Sequence, residues 1–159
     1  MKNVFMGIFA LLLMTSSSLM AQKQTSMKEH KIVFHLSTAD TSAYRSLTKQ
    51  LNNVLAVWTD AKLEVVVHNK GIDFMRKDKS VLESEIQALK DKGVVFAVCE
   101  NTMKAQKLSK DQILPQAIYV PVGLIELALK QEEGWSYIKA GYYFLVSVTF
   151  VTKLGWGFL

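Results

Sequence analysis

The residues of this chain that could do chemistry are one cysteine and two histidines, each close to the end of a predicted β-strand. His35, His68 and the only cysteine, Cys99, follow one another at intervals of about one strand–helix unit. The carboxyl ends of parallel strands meet at one edge of a sheet, and ligand sites form in the crevice there. We therefore expect Cys99 to be the catalytic residue at that edge, with His35, His68, Glu100 and Asn101 as candidate ligand-binding residues.

Cys99 also directly precedes a short predicted helix, for which Asn101 or Thr102 is the expected N-cap. The free N–H groups and the positive dipole end of a helix favour a thiolate, which is the nucleophilic form of cysteine. The competing interpretation is a packed, inert thiol, because cysteine is among the most buried residue types. A lone cysteine has no partner for an internal disulfide, so any thiol that it pairs with belongs to another protein.

The two histidines could orient a ligand or accept a proton, or each could simply end a strand with satisfied hydrogen bonds. Zinc sites usually show closely spaced ligand pairs such as C-x-x-C or H-x-x-x-H, and the sequence has none, so we expect no metal. It also has no glycine-rich nucleotide loop and no G-x-S-x-G, so we expect no cofactor. The formal charge is +5, but lysines alternate with acidic residues, which argues against nucleic-acid binding.

Strands and helices alternate along the middle of the chain. The predicted strands cover residues 31–36, 63–68, 94–99, 117–120 and 135–140. Asp40 or Thr41 is expected to cap the first helix and Ser80 the second. The helix after Pro121 is expected to turn an apolar face of Leu124, Ile125, Ala128 and Leu129 towards the core. This alternation predicts one α/β domain, residues 31–141, with a mostly parallel five-stranded sheet flanked by helices.

The two ends of the chain do not fit this pattern. Residues 1–21 are typical of a signal peptide, with Lys2 before an uncharged apolar run that is too short to span a bilayer. This predicts a periplasmic protein in which residues 22–30 are a flexible lead-in; membrane association is expected only if the signal stays uncleaved or the tail inserts. The hydrophobic tail, residues 142–159, remains open as an extra strand or hairpin, an oligomer contact, or a non-native end of the reading frame.

With these segments placed, the chain resembles the DsrE/DsrF-like family. The resemblance is carried by residues 31–36, 65–72, 93–103 and 119–123, with 131–139 following, and it spans about residues 31–140. It implies a flavodoxin-like three-layer sandwich that assembles into trimers or hexamers. It also implies sulfur metabolism, in which a cysteine at the position of Cys99 carries sulfur as a persulfide. The family pattern often has His-Gly where this chain has His68-Asn69.

The resulting hypothesis is an exported sulfur carrier or sulfurtransferase-type protein that handles sulfane sulfur on Cys99 with a donor or acceptor protein. Whether the activity is catalytic turnover or stoichiometric carriage stays open at this stage. The alternative is an oligomeric module that binds a small ligand, or a redox-sensing thiol, without catalytic turnover. No nucleic-acid partner is expected.

Overall fold

A computed structural model describes residues 29–141 of the chain. The predictions on residues 1–28 and 142–159, namely the signal peptide, most of the lead-in and the tail, lie outside the described residues. In the described part, the strands are β1 (Lys31–Leu36), β2 (Lys62–Val67), β3 (Val95–Cys99), β4 (Ala117–Val120) and β5 (Ser136–Ala140). The α-helices are α1 (Thr41–Val57), α2 (Glu83–Asp91), α3 (Glu100–Ala105) and α4 (Gly123–Glu132). Two 3₁₀-helices cover Asn69–Met75 and Lys110–Gln112.

The five strands form one sheet in the order β4-β3-β2-β1-β5, and every neighbouring pair is parallel. Helices cover both faces, which confirms the predicted three-layer α/β fold. The order places β1, β2 and β3 side by side, so the three strands that end near His35, His68 and Cys99 are direct neighbours.

The first face of the sheet packs against α1, α2 and the 3₁₀-helix Asn69–Met75. Asp40 caps α1 by accepting a hydrogen bond of 2.8 Å from the Ser42 N–H, as one of the two predicted caps. Phe34, Leu47 and Phe96 are fully or almost fully buried in the large hydrophobic cluster on this side. The molecule's main hydrophobic core therefore lies here.

The second face carries α4 and a much smaller apolar cluster, whose buried members are Val33, Val66, Ala97, Val120 and Leu127. The predicted apolar face of α4 is wrong: Leu124, Ile125 and Leu129 are 60%, 56% and 47% exposed. The reason is the close approach of Gly123 to the sheet. It turns Gly123 and Leu127 towards the sheet and leaves the predicted apolar face on the outside of the helix.

Two helix starts also differ from the prediction. α2 has Leu82 rather than Ser80 at its N-cap. α3 is capped by Cys99 itself, rather than by Asn101 or Thr102. Within residues 29–141, no helix combines the length and the apolarity needed to cross a membrane.

Candidate functional site

Cys99 ends β3 and its side chain caps α3. Its Sγ accepts hydrogen bonds from the backbone N–H of Thr102 at 3.4 Å and from that of Gly123 at 3.2 Å. Thr102 belongs to the first turn of α3, and Gly123 is the first residue of α4. The sulfur therefore lies at the N-terminal ends of two helices, whose N–H groups and dipoles both favour negative charge.

The balance of burial and hydrogen bonding favours a thiolate at this position. Burial raises the pKa of Cys99, but hydrogen bonds from the Thr102 hydroxyl and from the N–H groups of Gly123 and Thr102 outweigh it. The net result is a pKa below the ordinary value for cysteine. The Thr102 hydroxyl in turn accepts a 3.0 Å hydrogen bond from the Asn69 N–H, which holds its oxygen in place.

His35 and His68 face each other directly. Their Nε2 atoms are 2.5 Å apart, and the rings stack with centroids 4.7 Å apart. On its other side, His35 Nδ1 lies 2.7 Å from the hydroxyl of Tyr137 on β5. The three side chains thus form one hydrogen-bonded chain across β5, β1 and the end of β2.

Both imidazoles are neutral at pH 7. Burial, followed by the charges of His68 and Lys139, lowers the pKa of His35 to about 4. Burial and Lys139 also lower the pKa of His68. The pair can therefore offer hydrogen bonds and accept a proton, but it supplies no fixed positive charge to an anion.

Gly123 joins the histidine pair to Cys99. A β-carbon on Gly123 would lie 3.2 Å from Cβ of His68, 3.3 Å from Cβ of Cys99 and 3.3 Å from Cγ1 of Val66. A side chain at this position would crowd these neighbours, so glycine favours the close approach of α4 that lets its N–H reach the sulfur. The structure therefore brings Cys99, His35 and His68 to one edge and one face of the sheet.

Glu100 and Asn101 lie at the same edge but have other partners. The Glu100 carboxylate forms a 3.0 Å ion pair with Lys110. The Asn101 N–H donates to the carbonyl oxygen of Pro121 at 3.1 Å, and the Asn101 side chain is exposed. Within residues 29–141, neither residue forms a hydrogen bond with the histidine pair.

Sequence reasoning did not assign Gly123 or Tyr137 to the site. Gly123 had a signal, since a glycine two residues after Pro121 opens a helix whose other residues are good helix formers. Tyr137 had none, because only the strand order places β5 beside β1. Asn69 has a left-handed backbone with φ 51°. Glycine adopts this conformation freely and asparagine tolerates it, so Asn69 suits this turn.

The arrangement of donors does not suggest a metal site. Within residues 29–141, no group of three or more His, Cys, Asp or Glu side chains is placed to hold a metal ion. The chemistry that the geometry supports is that of an activated thiol beside a neutral, hydrogen-bonded pair of imidazoles.

The DsrE/DsrF-like family model matches residues 30–140. A solved protein of unknown function from Methanobacterium thermoautotrophicum is 30% identical, with a TM-score of 0.67 over 70% of this chain and 99% of its own. Another, from Bacteroides thetaiotaomicron, shares the fold at 14% identity, with a TM-score of 0.58 over 69% of this chain and 93% of its own. None of the curated proteins compared with the chain matches it. At the level of the family, this match indicates a role in sulfur relay. The chain belongs to the DsrE/DsrF-like family.

Proposed function

We propose that this protein is a sulfur carrier that holds sulfane sulfur on Cys99 as a persulfide. One observation carries the proposal: the Cys99 sulfur accepts hydrogen bonds from backbone N–H groups at the start of both α3 and α4. This environment supports a thiolate, which is the species that attacks a sulfane sulfur. The same N–H groups favour the negative charge of a bound persulfide anion.

The proposed transfer needs no external oxidant or reductant. The Cys99 thiolate attacks the outer sulfur of a donor persulfide, R–S–SH, and a new S–S bond forms. The donor S–S bond breaks, and its electron pair leaves with the thiolate R–S⁻. In the return step, an acceptor thiolate attacks the outer sulfur of the Cys99 persulfide and regenerates the Cys99 thiolate.

The test is mass spectrometry of the protein after exposure to polysulfide, followed by dithiothreitol. We expect a gain of one sulfur atom that the reductant removes and that the Cys99→Ser variant does not show. Absence of the sulfur adduct with polysulfide, thiosulfate and a protein persulfide donor alike would overturn the proposal.

The burial of Cys99 favours a second candidate, a ligand-binding module with an inert thiol. Cys99 is only 3% exposed. The residues at the same edge are less buried: His68 and Glu100 are half-buried, and Asn69 and Asn101 are exposed. Alkylation separates the two candidates: a carrier reacts with iodoacetamide while folded, and an inert thiol reacts only after unfolding. Reversible pairing of Cys99 with a partner thiol, but no persulfide, would instead support a redox-sensing role.

We also propose that the protein assembles from copies of itself through the outward stripe of α4. The exposed side of α4 carries the apolar residues Leu124, Ile125 and Leu129. A surface helix normally turns polar residues towards solvent, and exposed apolar patches mark interaction sites. Light scattering should show an oligomer that Leu129→Glu dissociates. Val81→Glu, at an exposed apolar residue before α2, should leave it intact. A monomeric wild-type protein would refute this assembly.

Finally, we propose that the protein acts in the periplasm, on the strength of the signal-like residues 1–21. The donor and acceptor would then be periplasmic too. Fractionation of cells that express the full chain should recover the protein in the periplasmic fraction, with an N-terminus near Gln22. Recovery in the cytoplasm at full length would refute it.

A further inference from the structure

Tyr137, His35 and His68 form a chain of hydrogen bonds in which each group either donates to the next or accepts from it. We propose that Tyr137 is a positioning residue: its hydroxyl sets the tautomer of His35, and through His35 it makes His68 carry its proton on Nδ1. This deepens the proposed function, and its use in sulfur transfer rests on that function. The tautomer itself can be measured independently.

The number of available protons limits how the hydrogen bonds from Tyr137 to His68 can be arranged. A neutral imidazole has one N–H, so two Nε2 atoms 2.5 Å apart share a single proton between them. Burial raises the pKa of Tyr137, so its hydroxyl also keeps its proton. Only two arrangements satisfy both contacts, and they run in opposite directions along the chain.

In the first arrangement, the Tyr137 hydroxyl donates to His35 Nδ1 at 2.7 Å. His35 then carries its proton on Nε2 and donates to His68 Nε2, which leaves the His68 proton on Nδ1. In the second, every donor and acceptor is exchanged, and His68 Nδ1 is bare. A phenol is a better hydrogen-bond donor than a neutral imidazole, and an imidazole nitrogen is a better acceptor than a phenol oxygen. Tyr137 therefore selects the first arrangement.

The position of His68 at the end of β2 determines what its tautomer does at this edge of the sheet. Cβ of His68 and Cβ of Cys99 both face Gly123, and Nδ1 is the ring nitrogen nearer to that end of His68. A proton on Nδ1 makes this side of the ring a hydrogen-bond donor. It would favour a ligand that accepts hydrogen bonds, such as the anionic outer sulfur of a persulfide. A bare Nδ1 would repel the same sulfur.

The test is ¹⁵N NMR of the imidazole rings in the uniformly labelled full chain at pH 7, with long-range proton correlations. The chain has three histidines, so single His→Gln variants assign every ring. We expect protonated Nδ1 in His68 and protonated Nε2 in His35. In Tyr137→Phe, which removes only the hydroxyl from a side chain that is 40% exposed, we expect both rings to lose this preference.

Tyr119→Phe is the matched control, since Tyr119 lies on β4 and its hydroxyl approaches the carbonyl oxygen of Lys110. It should leave both tautomers unchanged. Protonated Nε2 in wild-type His68, or unchanged tautomers in Tyr137→Phe, would overturn the proposal. If the tautomers are as expected but Cys99 never gains sulfur, the proposed function fails and the role of Tyr137 in positioning stands.

Discussion

The two faces of the sheet are built for different purposes. The first face holds the large core around Phe34, Leu47 and Phe96, and it is closed by several helices. The second face has five buried apolar residues under α4. It also carries three buried ionisable groups, His35, Glu64 and Cys99.

This difference places stability on one side and chemistry on the other. Glu64 on the second face pairs with Lys130 at 3.3 Å through one oxygen, while its other oxygen has no partner in the described part of the chain. Buried ionisable groups weaken a hydrophobic core, but they can take part in binding and proton transfer. The thinner apolar cover of the second face therefore leaves room for a reactive edge.

The largest expected effect comes from making the same cavity on each face. Leu47→Ala removes a fully buried side chain from the large core and should cost about 3–5 kcal/mol of unfolding free energy. Leu127→Ala, under α4, should cost about 2 kcal/mol, because its small cluster can collapse around the gap. Urea denaturation measures both values. Equal losses of unfolding free energy in the two variants would show that the two faces contribute equally to stability.

Gly123→Ala should disturb the second face without touching the first. The added methyl group would crowd Cβ of His68 and of Cys99, at a cost of about 1–3 kcal/mol. It should also move the Gly123 N–H away from the sulfur and raise the pKa of Cys99. We expect the pH profile of iodoacetamide alkylation to shift to higher pH.

Gly93→Ala is the control for this effect. Gly93 has φ 89° and nothing near the added methyl group, so the change strains the backbone but leaves Cys99 untouched. It should lower stability while leaving the alkylation profile in place. The same shift in both variants would contradict a specific role for Gly123.

The third expected effect is a pH dependence that belongs to the second face. Because the pKa of His35 falls to about 4 on folding, the unfolded chain binds more protons between that value and the ordinary value for histidine. Stability should therefore fall as the pH drops through this window, by on the order of 2 kcal/mol or less. Burial raises the pKa of Glu64, which acts in the opposite direction.

Comparison with His35→Gln separates the contribution of His35 to the pH dependence from that of Glu64, because Glu64 titrates in both proteins. Urea denaturation at pH 7 and pH 5 should show a smaller loss in His35→Gln than in the wild-type protein. His30→Gln, at the ring stacked on Trp58, should keep the full loss. An unchanged loss in His35→Gln would contradict a neutral, buried His35.

The smallest expected effect concerns one hydroxyl beside the thiol. Thr102→Val removes a hydrogen bond that lowers the pKa of Cys99, so the alkylation profile should move to higher pH. Thr48→Val, which removes a buried hydroxyl from α1, is the matched control and should leave the profile unchanged. A wild-type profile in Thr102→Val would show that the backbone N–H groups alone hold the thiolate.

Local signals in the sequence were sufficient for most of the fold. The alternation of strand and helix segments identified all five strands, and Asp40, one of the two expected caps, capped α1. Ser80 did not cap α2, because capping depends on backbone angles that the residue type does not set. The orientation of α4 was predicted wrongly, since a helix with apolar residues on more than one side packs where the sheet allows it.

By itself, the sequence determined the parallel α/β architecture and the position of a lone thiol between a strand end and a helix start. These follow from periodicity and from residue order along the chain, which are local properties. Only the tertiary structure decided that β1, β2 and β3 are neighbours, that Gly123 brings a second helix to the sulfur, and that Tyr137 reaches His35. Those contacts join residues far apart in the chain, and they depend on strand order and on close packing.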